Sequence, residues 1–214
     1  MRKCVASIFD YSAVMMRPWA DAGYECYCVD IQHPPGETVD GNIIKVGADV
    51  FSLNWPWEEF EFVSFFPPCT NVAVSGARWM KDKGLGALID ALRLFQVSVE
   101  MAEKAGCPYM IENPVNTVST YWREPDFKFN PNDYGDPYTK ETWLWTGGGF
   151  VMPPAIKPGD LFDAPTWVEP TDGSKMHLVP PGPDQKNIRS ETPAGFAKAV
   201  FEANAPCMTG KISA

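Results

Sequence analysis

FEFVSFFPPCTNVAVSGARWM, residues 60 to 80, begins as an apolar run of strand composition and ends abruptly in two prolines and a cysteine. A strand that meets Pro67 and Pro68 must hand over to a loop, because proline has no N–H for the ladder and restricts the residue before it. Cys69 is thereby placed at a strand's carboxyl end, where open α/β sheets keep their ligands. Thr70, Ser75 and Gly76 suit a loop that closes over something bound, and Arg78 adds a cation. Chemistry is expected here.

The flanking sequence reads as strands alternating with helices. Residues 3 to 9, KCVASIF, form a buried-type strand, and Asp10-Tyr11-Ser12 start a helix expected to run to Gly23. ECYCVDI, residues 25 to 31, is a second strand ending in Asp30. Strand, helix and strand ending in an acid form the layout of a mononucleotide-binding unit, in which the acid accepts from ribose hydroxyls, although the glycine-rich turn is missing. Pro34-Pro35-Gly36 is a turn, residues 42 to 46 a third short strand, and Phe60 opens the fourth. The strongest helical periodicity runs from about residue 82 to 105, with Leu88, Leu92, Phe95, Val99 and Ala102 on one face and Gly106 as the stop. That helix crosses over to a fifth strand, residues 107 to 111, and so delivers Glu112 beside Cys69. The class is α/β, a mainly parallel sheet flanked by helices.

Beyond Pro125 the texture changes to a proline-rich, loop-rich part whose aromatics, among them Phe127, Phe129, Tyr134, Trp143, Trp145 and Trp167, argue for packing. Thr142 to Trp145 suits a further strand and Gly182 to Arg189 a polar loop. Residues 192 to 203, TPAGFAKAVFEA, make an amphipathic helix with Phe196, Val200 and Ala203 on one face. A length of 214 residues fits one domain: a sheet core over 1–124, the loop-rich part over 125–190, and a final helix over 191–204 that packs back.

The formal charge of −9, from 18 basic and 27 acidic side chains, disfavours strong non-specific binding of a polyanion unless cations gather on one face. Cys4, Cys26, Cys28, Cys107 and Cys207 sit mostly in apolar runs and no signal-peptide pattern is seen, so a reducing cytoplasm is expected. With no closely spaced cysteine pair of zinc type and only His33 and His177, no metal site is expected. No apolar run approaches the ~20 residues needed to span a bilayer, so a soluble protein with no membrane partner is expected.

Pro67, Pro68, Cys69, Ser75, Gly76, Ala77 and Arg78 resemble the nucleophile motif of the DNA cytosine-5 methyltransferases, in which a Pro-Pro-Cys is followed by a serine- and glycine-containing segment ending in a basic residue. The family's second element, Glu-Asn at the end of the next buried strand, appears as Ile111-Glu112-Asn113-Pro114. Phe9, Ala22, Gly23 and Asp30 correspond to its first cofactor motif, and Asp49 to the acid that meets the cofactor's adenine, though Asp49 reads equally as a solvated loop acid. The chain thus resembles a short, divergent, phage-type member, without a large recognition domain. The resemblance implies a Rossmann-like S-adenosylmethionine-methyltransferase fold and S-adenosylmethionine held by Phe9, Asp30, Ile31, Asp49 and Pro67. It implies catalysis by Cys69, Glu112 and Asn113, and substrate contacts from Pro68, Thr70, Ser75, Arg78 and Lys140. Lys140 falls where the family carries arginines for the base's carbonyl and phosphate. Where the family has glycines, this chain has Asp10 to Met15, whose side chains are expected to stand where the backbone should approach the cofactor, weakening or altering its binding.

C5 of cytosine does not attack a methyl group until a thiolate adds at C6 and turns the ring into an enamine. Cys69 is the candidate thiolate, and Glu112 the acid that meets N3 and the exocyclic amine. A cysteine near a strand end is ordinarily just a small hydrophobe, and Glu112 is what lifts this one out of that class. The resemblance implies DNA as partner, whose cytosine must be flipped from the stack; the same chemistry on a free cytidine nucleotide, or with a non-standard donor, is the alternative. A retired fold acting as a binding module, suggested by the lost glycines, stays open.

Overall fold

Cys4–Ile8 (β1) is almost wholly buried, as expected of a strand covered on both faces. It is the middle of an eight-stranded sheet in the computed structural model, which describes residues 3–74, 77–156, 182 and 184–206, with the side chains of residues 77, 78 and 80 left aside. Glu25–Val29 (β2) and Phe60–Phe65 (β5) pair with β1 in parallel, one on each side. Ile43–Gly47 (β4) pairs in parallel with β2, and Tyr109–Pro114 (β6) with β5. The parallel strands therefore run β4-β2-β1-β5-β6, and the order reverses between β1 and β5. In open α/β sheets the crevice outside the strands' carboxyl ends at such a reversal is where ligands sit.

The sheet is mixed at both edges, a correction to the mainly parallel expectation. Gly36–Asp40 (β3) pairs antiparallel with β4 through a two-residue loop in which Gly41 adopts φ 60°. Asp40-Gly41 is a short-range hairpin signal, and it turns a region read as turn and loop into an edge strand. On the other side Thr142–Gly147 (β8) lies antiparallel to β6, and Phe127–Phe129 (β7) antiparallel to β8. β8 is the strand expected over Thr142 to Trp145 and buries Trp143, Leu144 and Trp145 by joining the sheet, while β7 arises within the stretch expected to be loop-rich.

Two helical expectations also change. Arg17–Asp21 (α1) is far shorter than a helix from Asp10 to Gly23. Pro18 suits a first helical turn, while Asp10 competes with the helix before it: its carboxylate accepts from Ala13 N at 2.7 Å, Ser12 Oγ at 3.0 Å and Ser7 Oγ at 2.8 Å. Ala77–Ala105 (α2) starts earlier than expected but is interrupted at Gly84, whose φ of 78° and ψ of 173° are not helical. Val118–Tyr121 (α3) is one turn. Gln185–Ser190 (α4) replaces the expected polar loop, and Ala194–Asn204 (α5) is the expected final helix.

Packing follows in two layers. Under one face Trp19 of α1 stacks on Phe62 at 4.8 Å, and Phe196 of α5 stacks on Phe129 at 4.0 Å, with Met15, Met16 and Val200 filling the same core. Across the sheet Phe95 and Ala102 of α2 pack on Ile8, Phe65, Ile111 and Trp145. The first turn of α5 approaches so closely that a Cβ on Gly195 would stand 2.0 Å from the Tyr134 carbonyl oxygen. Gly195→Ala is expected to lower stability by about 1–3 kcal/mol, the usual cost of overpacking. Urea denaturation measures it, and an unchanged midpoint would show that α5 is not seated this way.

Candidate functional site

Burial of Phe62, Val63 and Phe65 carries β5 through the core, and Pro67 and Pro68 end it. The parallel ladder with β6 stops at Phe65–Ile111, so Glu112 is the first β6 residue past β5, paired instead with Leu144 of β8. Glu112, Asn113 and Pro114 thus lie within β6, where the sequence reading had them just after it. The gap between the two strand ends is closed by Asn113, only 1 % exposed, whose Nδ2 donates to the Pro67 carbonyl at 2.7 Å. Beyond Cys69 the chain turns back: Val72 N and Ala73 N donate to the Cys69 carbonyl at 3.0 and 2.9 Å. Outside this turn, Lys83 Nζ donates to Thr70 O at 3.1 Å and Asn71 Oδ1 at 2.9 Å.

Glu112 faces Lys140, Oε1 to Nζ 3.8 Å, with only 15 % and 21 % of the two side chains exposed. Burial raises the Glu112 carboxyl above the ordinary carboxylate range, and Lys140 opposes that. Burial also raises the Cys69 thiol, Glu112 raises it further, and Lys140 and Lys186 pull it down. The two acids are therefore coupled: a proton on Glu112 removes an anion from beside the thiol and eases its ionisation. Phe66 and Phe129 wall the narrow cleft into which Glu112 and Lys140 open, and Ser190, Thr192 and Pro193 close it. That last segment, and Lys186, escaped the sequence reading, because nothing local ties residues 185 to 193 to a cysteine so far away in the chain. A wider groove of about 530 Å³ runs along α2 between Phe51 and Glu100 and contains none of these residues.

The structure brings Pro67, Pro68, Cys69, Glu112, Asn113 and Lys140 together. Thr70 is exposed and reaches the site only through its loop. Ser75 lies outside the described residues, and so does the side chain of Arg78. Asn113 has both ends of its amide engaged within the protein, which makes it a bracing group.

The candidate cofactor residues fall just past the carboxyl ends of four parallel strands: Phe9 after β1, Asp30 and Ile31 after β2, Asp49 after β4 and Pro67 after β5. Phe9 adopts φ 61°; Asp30 is buried, with Oδ1 accepting from Gln32 N at 2.8 Å; Ile31 is 74 % exposed. Tyr11 stacks on His33 at 5.3 Å beside them. Asp49 is exposed and caps the turn Val50–Ser52 by accepting from Phe51 N at 3.1 Å. The turn after β1, where the family's glycines are missing, divides its side chains between core and surface. Ala13 takes φ 59°, a conformation that favours glycine, and Ala13, Val14, Met15 and Met16 are all buried in the core under the sheet. These four side chains pack under the sheet, whereas Tyr11 of the same turn is 45 % exposed.

Cys26, Cys28, Cys69 and Cys107 are free thiols, Cys4 Sγ donates to Glu25 Oε1 at 3.9 Å, and Cys207 lies outside the described residues. Among the described residues no group of three or more His, Cys, Asp or Glu side chains could hold a metal, and no helix is long and apolar enough to cross a membrane. Comparison with protein-family models and with curated proteins gives no match.

The electrostatics give a paired expectation for the Cys69 alkylation rate at about pH 8, where only the thiolate reacts. Glu112→Gln removes the anion and should speed the reaction. Lys140→Gln removes a cation and should slow it. Mass spectrometry of the Cys69 peptide reads both, and equal rates in all three proteins would disprove the coupling.

Proposed function

We propose that the protein is a cytosine-C5 methyltransferase-like enzyme with a Rossmann-like S-adenosylmethionine-methyltransferase fold, acting on cytosine in DNA. The observation that carries this reading is the pairing of Cys69 and Glu112 at adjacent strand ends, tied by Asn113, with Lys140 close enough to act on both groups. The strand order β4-β2-β1-β5-β6, reversing beside the candidate cofactor residues, supports the fold.

Cys69 adds as thiolate to C6, forming the S–C6 bond as the ring's electrons move toward N3 and C5. Glu112, held toward the protonated form by burial, donates to N3 so that negative charge does not build up on the base. Lys140 faces Glu112 and would meet the base's carbonyl oxygen. Once C5 carries the new carbon, loss of its proton and cleavage of S–C6 restore the aromatic ring and the thiolate. S-adenosylmethionine, when bound, supplies the methyl group. Asp30 would take its ribose hydroxyls, and Phe9, Ile31, Asp49 and Pro67 would frame the adenosine.

The surplus of nine negative charges favours a second reading, the same chemistry on a free cytidine nucleotide, which has no long polyanion to repel. Trapping distinguishes the two. The parent should form a covalent adduct with 5-fluorocytosine in a DNA duplex or, on the second reading, in the free nucleotide. Cys69→Ser should fold normally and form none, since a serine hydroxyl is a far poorer nucleophile at neutral pH. An adduct that persists in Cys69→Ser would place the nucleophile elsewhere. For the cofactor, S-adenosylmethionine binding followed by calorimetry should weaken about tenfold or more in Asp30→Ala, as loss of a charged hydrogen bond to ribose requires. Unchanged affinity would remove Asp30 from the site.

A further inference from the structure

Asn116, buried at 3 % exposure on the loop after β6, lies outside every motif the sequence reading singled out. Its Nδ2 donates to Asn113 Oδ1 at 2.9 Å and its Oδ1 accepts from Val118 N at 2.8 Å. The polarity of this chain is forced. The Pro67 carbonyl can only accept, so Asn113 must turn its Nδ2 toward it, which leaves Oδ1 for Asn116; Asn116 must then present its own Nδ2, and its Oδ1 is left to meet the Val118 N–H. One orientation satisfies every buried group. The same two segments are knitted by backbone bonds, Val74 N to Val115 O at 3.0 Å and Thr117 N to Val72 O at 3.1 Å, and Ala73 bridges Asn116 itself. Cys69 is thus anchored before and behind: Asn113 holds the Pro67 carbonyl, and the turn that grips the Cys69 carbonyl ends at the Asn116 bridge.

We propose that Asn116 is a positioning residue that, through Asn113, fixes the Pro67-Pro68-Cys69 turn against Glu112. The inference rests on the reading of Cys69 as the nucleophile and adds the residue that sets its place. Asn116→Asp isolates the role, because it is isosteric and its carboxylate still accepts from Val118 N but has no hydrogen to give Asn113. Asn113 must then either face an opposing oxygen or turn its amide and set its own oxygen against that of Pro67. Either way the turn loses its brace.

The test uses the full chain as parent, Asn116→Asp and Asn116→Ser, and reads iodoacetamide alkylation of each cysteine by peptide mass spectrometry, alongside kcat and KM for methyl transfer to cytosine DNA. Serine serves as a second variant should the aspartate fold poorly, since its hydroxyl can still cap Val118 N. Release of the turn should raise the Cys69 alkylation rate about tenfold, the change in local opening that loss of one buried hydrogen bond brings, while Cys26 and Cys28 stay protected. It should also lower kcat with little change in KM. An unchanged Cys69 rate in both variants overturns the proposal. A rise shared by Cys26 and Cys28 overturns it too, since Asn116 would then be an ordinary fold contact. If the parent shows no turnover, the methyltransferase reading fails, while the alkylation rates still decide the role of Asn116.

Discussion

The hydrogen bond from Asn113 Nδ2 to the Pro67 carbonyl, 2.7 Å long and buried, fixes the geometry on which the site depends. Pro67 and Pro68 bring no N–H to the ladder, so β5 cannot continue beside β6, and its last carbonyls need another partner. A buried carbonyl left without one costs about 1–3 kcal/mol. Asn113 meets that need from the neighbouring strand, and by doing so it sets the spacing between Cys69 and Glu112. The arrangement at the strand ends is therefore a consequence of how the sheet terminates.

The electrostatics follow from the same enclosure. Two acids, the Cys69 thiol and the Glu112 carboxyl, lie near each other in a protein with a net charge of −9, and burial pushes both toward their neutral forms. Lys140 and Lys186 oppose that push at the thiol. Perturbed groups set side by side in this way are a common mark of a functional site. An exposed pair would have no such bias, because water would screen each from the other.

At the other strand ends the chain solves a problem usually given to glycine. Phe9 and Ala13 sit at φ 61° and 59°, conformations that carry strain for residues with a Cβ, and the Asp10 carboxylate holds them there through Ser7, Ser12 and Ala13 N. Ser64 extends the network by donating to Ser7 at 3.1 Å, tying the turn to β5. Strain at this turn is sustained by the apolar burial of Ala13, Val14, Met15 and Met16. Of the side chains that stand in place of glycines, Ala13, Val14 and Met15 are packed under the sheet while Tyr11 stays exposed.

Much of the architecture was legible because it rests on local physics. Apolar runs marked β1, β2 and β5, the prolines marked the end of β5, and the periodicity of residues 88 to 102 marked the crossover helix that makes β6 a neighbour. From those alone Cys69 and Glu112 had to meet at adjacent strand ends. The length of α1, the edge strands β3 and β7, the antiparallel seat of β8 beside β6, and the break at Gly84 were settled by tertiary packing, because Asp10's competition for the helix and the pairing partners of a strand are not visible in periodicity. Lys186, Lys83 and the Asn113–Asn116 network were out of reach for the same reason: a buried amide's partner is chosen by where two distant strands end, and no single stretch of sequence encodes that distance.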